Sequence, residues 1–294
     1  MRRALAGATA AAVLLLAGCA SGGGPGAAPA GALTPPPIAA APSAPASGRG
    51  GMLGLPLSAY RSDDRQSEEH FRAVRSLTAK CLRDAGFRVD PASLFRGSAP
   101  ADVDNDTAMP GGAWGYLGTA AAAVQGFHAR PAERPGAAGA AAPAPAGSEA
   151  EQSMTERCTR ESLQRLQLPE SAESRLVSEL FGASLVAVGK DHRVVAATAA
   201  WRECMAGAGF RVEDPEALVT RYRRSPSVQP DELSAARADA DCTATAGLAG
   251  IWFAVLAGYQ QQQIERHGEQ LAGMQRQLRE RADRIAAVLA ENGA

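Results

Sequence analysis

Two matching stretches decide the fold of this chain, CLRDAGFRVDPASLF at 81–95 and CMAGAGFRVEDPEALV at 204–219. Both contain a cysteine, then Ala-Gly-Phe-Arg-Val, then an acidic residue before a proline. Upstream of each cysteine, apolar residues recur at the spacing of one helix face. The glycine suits the left-handed conformation that ends a helix. The valine and the proline that follow favour an extended backbone after that turn. The sequence therefore predicts a repeated unit of helix, glycine turn and extended segment.

Each repeat also has a helix start signal and a second cysteine. The first predicted helix follows Asp63 or Asp64, and the second follows Asp191, since short polar side chains cap the free amides of a helix N-terminus. The apolar faces are Phe71, Val74, Leu77 and Cys81 in the first helix, and Val194, Ala197, Trp201, Cys204 and Ala208 in the second. The second cysteines lie in MTERCTRESL (154–163) and ADADCTATAGL (238–248). The whole unit is thus predicted to end in another cysteine-bearing helix.

These four cysteines predict a disulfide framework. No pair has C-x₂₋₄-C spacing, and no histidine lies near enough to complete a zinc motif. Four cysteines allow three connectivities. The repeat favours pairing within each unit, Cys81–Cys158 and Cys204–Cys242, while crossed pairing between the units stays open. Disulfides of this kind indicate an exported chain.

The fifth cysteine, Cys19, ends a predicted export signal. MRRALAGATAAAVLLLAGC (1–19) has two arginines, a short apolar run and small residues before the cysteine. The run is shorter than the about 20 residues of a membrane span. Leu16-Ala17-Gly18-Cys19 resembles a bacterial lipobox. We therefore expect residues 1–18 to be removed and Cys19 to carry the acyl chains that hold the protein on the outer face of the cytoplasmic membrane. The alternative is an ordinary secretory signal with a chance cysteine.

Composition divides the rest of the chain. Residues 19–58 are mostly Gly, Ala, Pro and Ser, which predicts a disordered tether because such a segment buries little apolar surface. The first unit is placed at 59–168, with a low-complexity insertion at 129–147. The second unit is placed at 169–294.

The C-terminal part predicts one long helix in a mainly α fold. Its apolar positions Ile264, Leu271, Met274, Leu278, Ile285 and Val288 fit a heptad frame, with His267 and Arg281 as polar exceptions. Because polar residues and glycines interrupt this frame, the pattern favours packing against the same chain over an intermolecular coiled coil.

No motif in the sequence predicts catalysis, a cofactor or a metal. The 30 basic and 31 acidic residues nearly cancel, so no global field favours nucleic acid. The four histidines are scattered, and neither a nucleophile elbow nor a phosphate loop is present. The acidic run Asp102, Asp104, Asn105 and Asp106 begins like a calcium loop. It then has Thr107 and Ala113 where that loop needs Gly and Glu, so a solvated acidic turn is favoured.

A few aromatic residues form the one candidate binding site. Trp114, Tyr116 and Phe127 lie in the loop of the first unit, and Tyr222 lies in the second. They could line an aromatic patch for a ligand or partner. The favoured alternative is that the loop packs back onto the helices as a lid.

Several of these motifs together resemble a group of lipoproteins from high-GC Gram-positive bacteria. They are the lipobox, the W-x-x-C-M helix from Trp201 to Met205 that turns at Gly209, the A-x-A-D-C stretch from Ala238 to Cys242, and the Gln-rich amphipathic tail. The resemblance implies a location and a helical fold, and it transfers no catalytic residue.

From these features we expect a non-catalytic, lipid-anchored envelope protein that binds a ligand or a partner, such as a transporter or a cell-wall component. The alternatives are a cell-wall hydrolase that uses carboxylates and an accessory or solute-binding lipoprotein of a transporter.

Overall fold

The computed structural model describes residues 32–95, 116, 118, 122, 126–127, 148–168, 170–223 and 229–291. These residues are mainly α-helical, as predicted, and contain no strand. The helices are α1 Gly48–Leu53, α2 Asp64–Asp84, α3 Glu149–Leu166, α4 Ala172–Lys190, α5 His192–Gly207, α6 Pro215–Arg223, α7 Pro230–Thr245, α8 Leu248–Arg266 and α9 Gly268–Glu291, with 3₁₀ turns at Pro56–Tyr60 and Pro91–Ser93.

The predicted starts and ends of α2 and α5 are confirmed. Asp63 caps α2 by accepting from the Gln66 amide (2.7 Å), and Asp191 caps α5 by accepting from the Arg193 amide (3.0 Å). Gly86 and Gly209 follow the two helices with φ of 88° and 93°. This left-handed conformation carries no penalty at glycine, so both helices end at their glycine turn.

Two disulfides join helices in pairs. Cys81–Cys158 links α2 to α3 with a Cα–Cα distance of 5.7 Å, and Cys204–Cys242 links α5 to α7 at 5.6 Å. These are the within-unit pairs that the repeat favours over crossed pairing. Three residues before the first cysteine of each pair, a buried side chain also bonds across to the partner helix. The bonds are Thr78 Oγ1 to Ser162 Oγ (3.2 Å) and Trp201 Nε1 to Asp239 Oδ1 (2.8 Å).

The single long C-terminal helix predicted by the sequence is wrong, because the region divides into α7, α8 and α9. Gly247 adopts φ 63° between α7 and α8, and His267 adopts φ −119° between α8 and α9. The predicted packing against the same chain does occur. Of the heptad positions, Leu271, Met274, Leu278, Ile285 and Val288 are buried. Helix α8 packs against α4, α5 and α7, and α9 packs against α2 and α4. Together, α8 and α9 connect the two disulfide-bonded pairs.

The disordered tether predicted through residue 58 is also wrong from residue 33 onward. Residues 33–60, which we call the strap, lie along α8. Thr34 exchanges two hydrogen bonds with the Gln262 side chain (3.1 and 2.8 Å), and the Leu57 amide donates to buried Gln260 Oε1 (3.0 Å). Residues 1–31, which include Cys19 and the predicted signal peptide, lie outside the described residues.

Glycines on α8 explain why a segment of such simple composition packs. Gly250 faces the carbonyl of Pro42, and Gly258 faces the ring of Pro36. At either position a Cβ atom would overlap the strap. The strap therefore lies in notches that only glycine leaves open, and its prolines cost little entropy to order.

A buried ion pair holds the same segment from the side of α5. Asp191 accepts from the Arg193 guanidinium (2.8 and 2.7 Å) and from the Tyr259 hydroxyl (3.2 Å). Arg193 Nη1 also donates to the Pro36 carbonyl (2.8 Å). Chiefly through the hydrogen bonds from Arg193, the pKa of Asp191 falls to about 2. The charged pair therefore persists at neutral pH and ties α5, α8 and the strap together.

By length and hydropathy, none of the helices in the described ranges could cross a membrane alone. The joined pair α7 and α8, bent by 63°, passes that test by length and composition only.

Candidate ligand-binding groove

Two of the four residues of the aromatic patch predicted from the sequence, Phe127 and Tyr222, do not lie at the surface. Phe127 and Tyr222 do meet, with ring centroids 5.6 Å apart, but they are 1% and 3% exposed. The Tyr222 hydroxyl donates to Asp231 Oδ2 (2.9 Å). Tyr116 is half-buried, and Trp114 lies outside the described residues. For Phe127 and Tyr222, the alternative of a loop packed onto the helices describes the structure.

A buried carboxylate, Glu232, binds the backbone at Phe127. Glu232 Oε1 accepts from the Phe127 amide (2.6 Å), and its Oε2 accepts from the Gln229 amide (3.0 Å). Glu232 is fully buried, so these hydrogen bonds offset the desolvation of the side chain. Its two oxygens thus bind the backbone at Phe127 and at Gln229.

A second buried acid, Asp239, lies between α5 and α7. It accepts from Trp201 Nε1, and Thr243 Oγ1 lies 3.5 Å from the same oxygen. Burial raises the pKa of Asp239 to about 7, against the opposing effect of these two hydrogen bonds. The side chain of Asp239 is therefore a group that titrates near neutral pH inside the core.

The candidate binding site is an open groove of about 990 Å³. It is formed by the strap, the start of α2, one side chain of α4 and one face of α9. The lining residues are Arg49, Met52, Leu53, Leu55, Pro56, Ser58, Ala59, Arg61, Ser62, Asp63, Asp64, Arg65, Gln66, Phe181, Gln275, Leu278, Arg279 and Ala282. Sequence reasoning missed this site because its described lining comes from three distant segments and contains no motif.

Four arginines make the groove cationic. Arg49 pairs with Asp64 (2.5 Å), and Arg65 pairs with Glu69 (3.0 Å). The Arg61 guanidinium lies 5.9 Å from the centre of the Phe181 ring. Among the described residues, neither Arg61 nor Arg279 has a carboxylate partner. The groove therefore presents two guanidinium groups that have no carboxylate within ion-pair distance in the described chain.

Several other polar groups of the groove bond within the fold. Ser58 Oγ donates to the Met52 carbonyl (2.7 Å), and Ser62 Oγ accepts from Arg281 (2.8 Å). Asp63 is the cap of α2. The described lining of the groove contains no histidine or cysteine. It offers guanidinium groups and apolar side chains to a ligand.

No cluster of three metal-ligating side chains occurs in the part of the chain that the structure describes. The acidic run of Asp102, Asp104, Asn105 and Asp106 lies outside that part, as does the insertion at 129–147.

Comparisons of the chain with protein family models, curated proteins and solved structures found no match. The residues and contacts described above are therefore the basis on which we infer its function.

Proposed function

We propose that this chain is an exported, lipid-anchored envelope protein that binds a ligand or partner without catalysis, with the groove as its binding site. The observation that carries this proposal is the pair of disulfides in the folded part. Such bridges persist in oxidising compartments and are rare in a reducing cytosol. The N-terminal resemblance to a lipobox supports export and supplies Cys19 as the attachment point.

We also infer that the two disulfide-bonded helix pairs are copies of one unit. Beyond the matching sequences, both first helices end in the same hydrogen bond, from Phe87 to Leu82 (2.9 Å) and from Phe210 to Met205 (2.8 Å). Both also have a buried hydrogen bond three residues before the first cysteine. In this interpretation the Thr78–Ser162 contact is the counterpart of the larger Trp201–Asp239 contact.

A binding role fits the groove better than hydrolysis. The two acids among the described lining residues are a helix cap and the ion-pair partner of Arg49, so neither is placed as a free acid or base. General acid–base catalysis needs a carboxyl group within reach of a substrate proton. A transporter subunit or another envelope protein is the partner class that the proposed location favours.

The location is tested by replacing Cys19. In the native host, we expect mass spectrometry of the mature N-terminus to find a cleaved chain that begins at Cys19 and carries acyl groups. Cys19→Ser removes the thiol that accepts the lipid, so the protein should leave the membrane fraction while both disulfides stay formed. Ser21→Ala, two residues further on, is the matched control and should keep the lipid. A wild-type chain that is cleaved without acylation would contradict the anchor.

A further inference from the structure

We propose that the groove binds an anionic amphiphile, with its carboxylate or phosphate group on Arg61 and Arg279 and its apolar body along Leu53, Phe181 and Leu278. This inference rests on the proposed function, because it names the ligand class of the same binding site. The contacts that would bind the ligand do not depend on how the chain is anchored; only the access of a membrane amphiphile to the groove does.

Charge complementarity identifies the head of the ligand. Arg61 and Arg279 line the groove as exposed side chains without a carboxylate partner in the described ranges. A guanidinium offers five N–H donors in a fixed plane that matches carboxylate and phosphate oxygens. The contact of Arg61 with the face of Phe181 limits where that guanidinium points. The two guanidinium groups therefore favour the binding of an anion at the surface of the groove.

The apolar wall identifies the body of the ligand. Leu53 is 48% exposed although it lies in a helix that buries its neighbour Met52. The ring of Phe181 on α4 and the side chain of Leu278 on α9 continue the same apolar wall. A volume of about 990 Å³ is at the upper end of small-molecule sites, which run from about 300 to 1,000 Å³. An inorganic anion would leave most of this space and all of its apolar wall unused.

The form of the walls favours an amphiphile over an extended peptide. The described walls are helices and turns, and they offer no strand edge with which a peptide backbone could pair. An acyl chain needs no backbone partner. Its transfer from water contributes about 0.8 kcal/mol for each buried CH₂ group.

The small number of residues between Cys19 and the strap bears on how a membrane amphiphile would reach the groove. Fifteen residues separate Cys19 from Thr34, the strap residue bonded to Gln262. Even fully extended, that length reaches only about 50 Å. An acylated Cys19 would therefore keep Thr34 within about 50 Å of the bilayer surface, where anionic amphiphiles are concentrated.

The test is calorimetric titration of the full mature chain carrying Cys19→Ser, without detergent, since detergent would compete for the groove. The probe is dodecyl phosphate below its micellar concentration, and the expected result is saturable binding at one site per chain. Dodecanoate should bind comparably. Inorganic phosphate should bind at least 100-fold more weakly, and dodecyltrimethylammonium, with the same chain and opposite charge, should not bind.

Variants separate this site from adsorption of the probe elsewhere. The double variant Arg61→Gln/Arg279→Gln should weaken dodecyl phosphate at least tenfold, and Leu53→Gln should weaken it severalfold. Arg202→Gln, on the exposed face of α5, is the matched control and should leave the affinity unchanged. Melting curves by circular dichroism show whether each variant is folded. Affinities are compared only for variants that melt like the wild type.

Three outcomes would overturn the inference: unchanged affinity in the double variant, equal binding of the cationic amphiphile, or tighter binding of a peptide with a free C-terminal carboxylate. Because the assay uses a chain without lipid, its failure leaves the acylation of Cys19 untouched. Conversely, a missing acyl group at Cys19 would overturn the anchor and leave the titration standing.

Discussion

The buried carboxyl group of Asp239 makes the free energy of unfolding depend on pH. Its pKa is about 7 in the folded chain and about 4 when unfolded. Between these values the unfolded chain has released the proton that the folded chain retains. The contribution of Asp239 to stability is therefore full below pH 4, declines by up to about 1.4 kcal/mol per pH unit as pH rises to 7, and stays low above.

The prediction is tested with Asp239→Asn, which keeps an acceptor for Trp201 Nε1 and cannot ionise. We expect the difference in unfolding free energy, wild type minus variant, to fall between pH 4 and pH 7, as measured by urea denaturation. Asp241→Asn, an exposed position on the same helix, is the control and should leave the wild-type slope in place. A difference that stays constant across this range would contradict the buried titration.

Single residues were also where the sequence predicted most successfully. Asp63 and Asp191 start their helices, and Gly86 and Gly209 end theirs, because capping and left-handed turns depend on the nearest few residues. Phe127 and Tyr222 show the limit of such reasoning. Their aromatic character fits a surface patch and a core equally well, and only tertiary packing decides between them.

At the scale of elements, the contact between the strap and α8 depends on two notches. Gly250→Ala would place a Cβ atom against the Pro42 carbonyl, and the strap backbone would have to move. We expect a loss of about 1–3 kcal/mol in unfolding free energy, as for other overpacked contacts. Limited proteolysis should also cut the strap faster, because its hydrogen bonds to α8 depend on close approach.

The matched control is Gly182→Ala in α4, where an added Cβ would meet nothing within 4 Å. That change should raise stability by up to about 1 kcal/mol, since alanine is the better helix former. If both variants shift stability by the same amount and in the same direction, the notch has no energetic role.

The strap also explains why composition misled at this scale. Gly, Ala, Pro and Ser predict disorder because they bury little surface of their own. Here the buried surface belongs largely to α8, in Trp252, Val255 and Leu256, and the strap residues Met52 and Leu55 complete it. The break at Gly247 was missed for a related reason, since glycine inside a helix-forming run indicates a turn only when packing uses its positive φ.

At the scale of the whole molecule, the disulfides could be predicted from a repeat, whereas the groove could not. The matching stretches favoured Cys81–Cys158 and Cys204–Cys242, the pairs that the structure has, although they left crossed pairing open. The groove needs Leu53, Arg61, Phe181 and Arg279 to meet. These residues span more than 200 positions and share no spacing, so only the packed arrangement of α9 and the strap brings them together.

The two bridges should contribute to one cooperative structure. They close loops of 77 and 38 residues. The loop-entropy relation assigns them roughly 4.5 and about 4 kcal/mol. Helix α8 packs against α5 and α7, α9 packs against α2 and α3, and both pack against α4. Loss of either bridge should therefore destabilise the other pair too. We expect Cys81→Ala/Cys158→Ala and Cys204→Ala/Cys242→Ala each to give one transition at lower denaturant, with far- and near-ultraviolet circular dichroism coinciding. Either variant serves as the control for the other, and two separated transitions in either would show that the pairs unfold independently.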